Sequence, residues 1–485
     1  MHVPAAAPRV TRRGLLRGGG GAVAAAAAGG ALLAACSRAQ APAAAAPTST
    51  GAKTTLLVSI PFQGFGNYQG TMQKLTEEYI ATHWTSKHKG VEVKTQAGSG
   101  ANGNNIGAQA IVAASIAGDT AALPATVCGC CSQIQTFLAA GLLLPLESYI
   151  KQDNINLGGF SPGHLQALQV GGQQMALPQY DGPMVLTYNQ GMLDQLGLPY
   201  PQPGWTHTEA ATLWASLART VNGKRVYGAA LDNGDHNWWL HGWGGAEGDA
   251  TGTKALLDSP AGVAAFSWFT HLFTQHVATG GGGSDVRGGS AAFGMAGGWT
   301  IETMALAARG LKWDYHPLPV FPGGQPSTFI NNDFNGINAF SKVPRELAWS
   351  IFKFITLDVG FQHFQYRTTF ITPNQSSLWA DWISIVRAVA PPLRDKHLEY
   401  YQQAIDYGWS TYFFKYDPLP ANNLKGSWFG KIQNGQVSPQ LGLQQATLQI
   451  NALEASGARS VVASAASIRA FPTQGAPIAV VPAGL

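Results

Sequence analysis

The sequence predicts an α/β fold, and three observations carry that reading. From Thr54 onward, β-prone runs alternate with amphipathic helical stretches. The better-marked helices bring their own capping residues. Charged residues make up 12% of positions against 45% hydrophobic, about half the charge of an ordinary globular domain, which excludes a coiled coil and a charge-driven disordered chain. A length of 485 residues suits two or three domains.

The run LLVSI (56–60) reads as the first strand, followed by the Gly-rich loop PFQGFGNYQG and a helix with Met72, Leu75, Tyr79 and Ile80 on one face. Val91 and Val93 alternate as a short strand, GSGANGNN is a loop, and residues 106–117 read as an Ala-rich helix leading to a strand near 125–127. In SPAGVAAFSWFTHLF, Ser259 can cap, Pro260 fits the first turn, and Val263, Phe266 and Phe273 share a face. Residues 279–290, TGGGGSDVRGGS, read as a flexible surface loop. A helix follows over 344–355, with Leu347, Ile351, Phe352 and Ile355 in helical spacing. The last hundred residues hold helical segments such as EYYQQAIDYGW and a Gly/Asn-rich linker.

Charge is unevenly placed. Arg9, Arg12, Arg13 and Arg17 fall in the first 35 residues, which contain no Asp or Glu; taking these four from the 30 Lys and Arg leaves 26 to balance 26 Asp and Glu. A neutral body lacks the clustered cation that phosphate backbones need, so no nucleic acid is expected as a partner. Residues 1–35 read as an export signal: the cationic stretch TRRGLLRG, an Ala/Gly/Leu run, and Leu33-Ala34-Ala35 ahead of Cys36. The run is too weakly apolar for a stable span, which wants about 20 strongly apolar residues. Arg12-Arg13 before Gly-Leu-Leu resembles a twin-arginine signal, with an ordinary secretory signal as the alternative. LAAC resembles the lipobox of bacterial lipoproteins, which implies lipidation of Cys36. Residues 36–52, rich in Ala, Pro, Ser and Thr, read as a disordered tether. The body would then be extracytoplasmic, anchored to the outer face of the cell membrane.

Five segments carry a wider resemblance. ALPQYDGPMVLTYNQGMLDQLGL places Tyr188-Asn189 before a helix and a Gly-Leu; PQPGWTHTEAATLW supplies a Pro-rich turn and a Trp; DNGDHNWWLHGWGGAEGD is an aromatic loop closed by Gly244-Gly245; AAFGMAGGWTIETM contains Met295, Gly298 and Trp299; and NNDFNGINAFSKVPRELAWSIFKFI has Gly336-Ile337 before a helix. In this order they resemble the extracellular solute-binding proteins of ABC importers, specifically the carbohydrate-binding family that includes the maltose-binding type. The resemblance implies a two-lobed, type II periplasmic-binding-protein-like α/β fold with the ligand in a cleft between lobes joined by hinge crossings. Residues 53–184 plus 336–372 would form lobe 1, and 187–333 plus 373–485 lobe 2. It also implies a monomer, no cofactor and no metal, with ABC permease transmembrane subunits as partners.

A sugar presents hydroxyls to planar polar groups and C–H faces to aromatic rings. At the matching loops the candidates are Phe62, Gln63 and Asn67, then Ser132 and Gln133, Tyr180 and Asp181, Asp232 with Trp238, Trp299 as the principal stacking platform, Asn331, Asn332 and Asp333, and Trp409 with Phe413 in a C-terminal helix. Core packing is the alternative for each Trp, and a turn for 331–333. The loops named are nearly free of Arg and Lys, which points to a neutral carbohydrate over glycerol phosphate, and more acid would be wanted for a polyamine; a peptide ligand is a further alternative. Cys128, Cys130 and Cys131 are an odd set once Cys36 is lipidated, and the spacing of Cys128 and Cys131 permits a disulfide. Asp181 with Asp232 is the one carboxyl pair available to a glycoside hydrolase. No local motif supports turnover, so the expected activity is binding.

Overall fold

The computed structural model describes residues 53–60, 69–97 and 110–467, apart from 112, 115–116, 120–122, 130–133, 135–136, 139–140, 171, 232–237, 309, 325, 332 and 411–417. In chain order the strands are β1 (Thr54–Ile60), β2 (Val91–Ala97), β3 (Thr126–Gly129), β4 (Gln169–Val170), β5 (Gln173–Gln174), β6 (Leu177–Pro178) and β7 (Gly182–Asn189). They continue as β8 (Arg219–Val221), β9 (Lys224–Ala230), β10 (Ala278–Thr279), β11 (Ala291–Gly297), β12 (Trp313–His316), β13 (Thr328–Asn331), β14 (Phe334–Ile337) and β15 (Gly408–Ser410).

Two main sheets result, each the centre of one lobe. The first runs β2-β1-β3-β14-β6, and the second runs β10-β9-β11-β7-β13-β15 with β12 beside β7 and β8 beside β9. In the first, β1 is parallel to β2 and β3, and Leu56, Val58 and Ile60 are buried on the face alternation predicts. The helix Arg345–Leu357 covers it with Ile351, Phe352 and Ile355. Helix Gln69–His83 buries Met72, Thr76 and Ile80, a spacing of four that leaves Leu75 on the flank, 39% exposed, outside the face assigned to it from sequence.

The second sheet carries the aromatic core. Helix Pro260–Thr274 starts where the capping signal put it, with Ser259 Oγ accepting from the Gly262 N–H at 3.1 Å. Phe266, Phe269 and Leu272 from this helix pack on Trp239 and on Phe429 and Ile432 of helix Pro418–Gln433.

Two local expectations are corrected. Residues 279–290 are not a loose surface loop: β10 ends at Thr279 and a helix occupies Gly283–Gly288. Glycine is used there as space, since a Cβ at Gly282 would stand 2.8 Å from the Met295 carbonyl oxygen and one at Gly294 would stand 2.5 Å from that of Gly282. Trp409 lies in β15, not in a helix, because the helix ends at Ile405 and residues 408–410 pair in parallel with β13. Phe413 lies outside the described residues.

The chain passes between the sheets at adjacent points. Residues 179–181 join β6 to β7, and Asp333 leads into β14, which follows β13 in the chain. A third pass, near 372–374, lies against the first: the Asp181 N–H donates to the Pro373 carbonyl at 2.8 Å, and Asn374 Nδ2 donates to the Pro178 carbonyl at 3.1 Å. The first two are tied by the Gln179 N–H donating to the Asp333 carbonyl at 2.9 Å. Strand register fixes which sheet edges meet here. Phe334 opposes Gly129 and Pro178, while Gly182 opposes Asn331 and Met184 opposes Gly297. The C-terminal ends of β3, β11 and β13 therefore all lie at the crossings, the edge where open α/β sheets bind ligands.

Candidate functional site

Gly182 is the centre of the site. A Cβ there would meet the Tyr180 ring at 2.9 Å, Asn331 Cβ at 3.1 Å and the Trp299 indole at 3.2 Å. The absent side chain lets three candidates converge on the first residue of β7. Gly297 does the same from β11: a Cβ there would lie 2.3 Å from the indole. Trp299 thus rests on two glycines at the sheet edge, and only a residue without a side chain fits beneath the ring.

The half-buried indole forms part of the wall of a cavity of about 420 Å³. Met184 and Met295 of the sheet, Gly281 to Ser284 and Arg287 around the short helix, and Thr300, Thr303 and Met304 after the indole complete the described lining. Sequence reading missed Ser284, Arg287 and Thr303. The available signal was the position of the glycine run, directly before the strand that ends in Gly297-Gly298-Trp299.

The crossings hold a buried polar network. Asn331 Nδ2 donates to Asp333 Oδ1 at 2.7 Å and to the Tyr180 hydroxyl at 3.3 Å, with Tyr180 1%, Asn331 4% and Asp333 0% exposed. Asp181, also buried, lies 2.8 Å from His164 Nδ1 of the first-lobe helix Pro162–Ala167. Burial pushes the Asp181 carboxyl above its usual range, and the His164 bond opposes that rise. The structure therefore assigns Tyr180, Asp181 and Asp333 hydrogen-bonding work inside the crossings, beside the cavity wall.

The two other candidate tryptophans are not in the described lining of this cavity. Trp238 is fully buried in the second lobe, edge-on to Trp239 and Trp268. Trp409 is half-buried, packed on the imidazole of His241 with ring centroids 4.1 Å apart. Burial holds the His241 ring below the usual histidine range, which keeps it neutral under the indole.

Phe62, Gln63, Asn67, Ser132, Gln133, Asp232 and Asn332 lie outside the described residues, as do Cys36, Cys130 and Cys131. By chain order they follow β1, β3, β9 and β13 or precede the body. Cys128 is buried in β3, its thiol 3.7 Å from Ser59 Oγ. Among the described residues no group of three His, Cys, Asp or Glu is arranged to hold a metal, and no helix is long and apolar enough to cross a membrane.

A family model for bacterial extracellular solute-binding proteins matches residues 66–360. Among solved structures, the chain is similar to an ABC substrate-binding protein from Listeria monocytogenes in complex with cycloalternan: 18% identity, 83% of this chain and 99% of that one, TM-score 0.68. It is similar also to a cyclic α-maltosyl-1,6-maltose binding protein from Arthrobacter globiformis, at 16% identity over 83% and 100% of the two chains with a TM-score of 0.66. The GacH receptor of Streptomyces glaucescens, solved unliganded and with acarbose, matches at 19% identity over 83% and 99% with a TM-score of 0.64.

Proposed function

The chain belongs to the family of bacterial extracellular solute-binding proteins, and on that premise we propose that it is the substrate-binding component of an ABC importer for a sugar or oligosaccharide. The observation that carries the reading is the Trp299 indole, laid on Gly182 and Gly297 in the wall of a cavity of about 420 Å³ beside the crossings. An indole face offers C–H stacking to one side of a sugar ring, and the cavity falls in the size range of small-molecule sites. The saccharide complexes of the similar structures support the same class of ligand.

The proposed mechanism is capture by closure. A ligand that touches both lobes stabilises the shut state by its differential affinity for that state, with the three neighbouring passes as the hinge. A micromolar dissociation constant corresponds to about −8 kcal/mol, within reach of ring stacking and several hydrogen bonds after ordering costs. Binding is the activity and the sugar leaves unchanged, to be handed to the transmembrane permease subunits. LAAC supports lipidation at Cys36, and the tether at 36–52 would keep the monomer at the outer face of the cell membrane, within reach of its permease.

The test is calorimetric titration against a sugar panel with tryptophan fluorescence as a second reporter. One saccharide should bind and be recovered intact, and Trp299→Ala should weaken it by tenfold or more without loss of fold by circular dichroism. Silence toward every saccharide, with a response to peptides or polyamines, would redirect the assignment to those solutes.

A further inference from the structure

Arg287 is the one cation among the described lining residues of the Trp299 cavity, and no carboxylate joins it there. It is half-buried and has no hydrogen bond or ion pair with any described residue. The acid on its own short helix is occupied elsewhere: Asp285 Oδ2 accepts from the Gly282 N–H at 3.0 Å, and Oδ1 accepts from Ser290 Oγ at 3.0 Å. A guanidinium lining a cavity, with the acid of its own helix already engaged, is set for an anion brought by the ligand.

We propose that the ligand is an acidic sugar, a uronic acid or an oligosaccharide bearing one, whose carboxylate pairs with Arg287 while its ring stacks on Trp299. This rests on the sugar-capture reading and narrows it. A neutral polyol needs acceptors for its hydroxyl protons as well as donors, yet beside the Ser284, Thr300 and Thr303 hydroxyls the described wall offers five guanidinium N–H donors and no carboxylate. A carboxylate reverses that mismatch, since it is acceptor-only and its planar pair of oxygens fits the guanidinium fork. Charge matching selects it over a phosphate, which carries about −1.5 to −2 at neutral pH and would leave excess charge against a single Arg. The neutral ligand expected from sequence rested on loops that did not include Arg287.

The experiment titrates matched pairs: galacturonic acid against galactose, glucuronic acid against glucose, their dimers, and glucose 6-phosphate. The acid member of one pair should bind at least tenfold tighter than its neutral twin, about 1.4 kcal/mol. Arg287→Gln should bring that ratio within threefold, and added salt should narrow it in the wild type. A neutral twin that binds as well as its acid, or an acid preference that survives Arg287→Gln, overturns the inference and leaves sugar capture standing. Tighter binding of the sugar phosphate overturns the carboxylate assignment. If no saccharide of any kind binds, both readings fall together.

Discussion

Two buried pairs of an acid and a basic side chain, of the same length, sit in different parts of the molecule. In the second lobe, Lys425 Nζ donates to Glu247 Oε2 at 2.8 Å, with side chains 1% and 0% exposed. At the crossings, His164 Nδ1 and Asp181 Oδ1 are also 2.8 Å apart, with side chains 0% and 3% exposed. The first joins two parts of one lobe: Lys425 belongs to helix Pro418–Gln433, whose Phe429 and Ile432 pack in the aromatic core. The second joins a first-lobe helix to the passage on which the lobes would turn. Similar chemistry then has different reach. A contact inside a rigid lobe bears on whether the lobe folds, whereas one anchored in the hinge bears on the lobe arrangement as well.

Lys425→Met should have the largest effect, because Glu247 would keep its burial and lose its cation. Breaking a buried pair from one side costs about 3–5 kcal/mol, read as a lower urea midpoint. The double variant Glu247→Leu/Lys425→Met should recover most of that loss, since an apolar pair needs no desolvation. In neither variant should the ligand affinity of the folded fraction move more than twofold. His164→Leu comes next, at about 1–3 kcal/mol, because the Asp181 carboxyl, already pushed up by burial, can escape isolation by taking a proton. Here the affinity should shift severalfold as well. Equal affinity shifts in Lys425→Met and His164→Leu would erase the distinction between the two regions.

What the sequence revealed follows the range of its signals. The first strand and the Ser259 cap were legible because each is local, decided by residues within one or two turns of chain. Trp299 was named from its motif, and the fold places it in the cavity wall. The pairing of His164 with Asp181 was not, since no periodicity links a helix in one lobe to a passage between lobes. Glycine misled most. In 279–290 it reads as looseness, whereas the fold uses its missing side chain as room for the Met295 carbonyl and for the backbone at Gly294, and that error hid Arg287. Trp238 and Trp299 were both named as site candidates, Trp299 first, and the packing of Trp239, Trp268 and Phe321 around Trp238 puts it in the core while Trp299 lines the cavity.

A third buried acid extends the comparison to a group with no cationic partner among the described residues. Glu302 lies on helix Ile301–Ala307, directly after Trp299 and Thr300, is 8% exposed, and has no hydrogen bond with any described residue. Burial alone raises its carboxyl to about 7 from an ordinary 4.5. Well below pH 4.5 the folded and unfolded chains both hold this proton. As pH climbs from there toward 7, the unfolded chain releases it first, so the folded state loses ground over that window. Above it the folded chain must carry a buried carboxylate and the loss is complete. Glu302→Gln removes the titrating group at nearly constant volume, so it should match the wild type well below pH 4.5, near pH 3, and exceed it at pH 8. Urea unfolding at the two pH values reads the difference directly. Equal stability of variant and wild type at both would mean that water or a polar neighbour already solvates this carboxylate, and that among the buried acids only the partners, not the burial, set the cost.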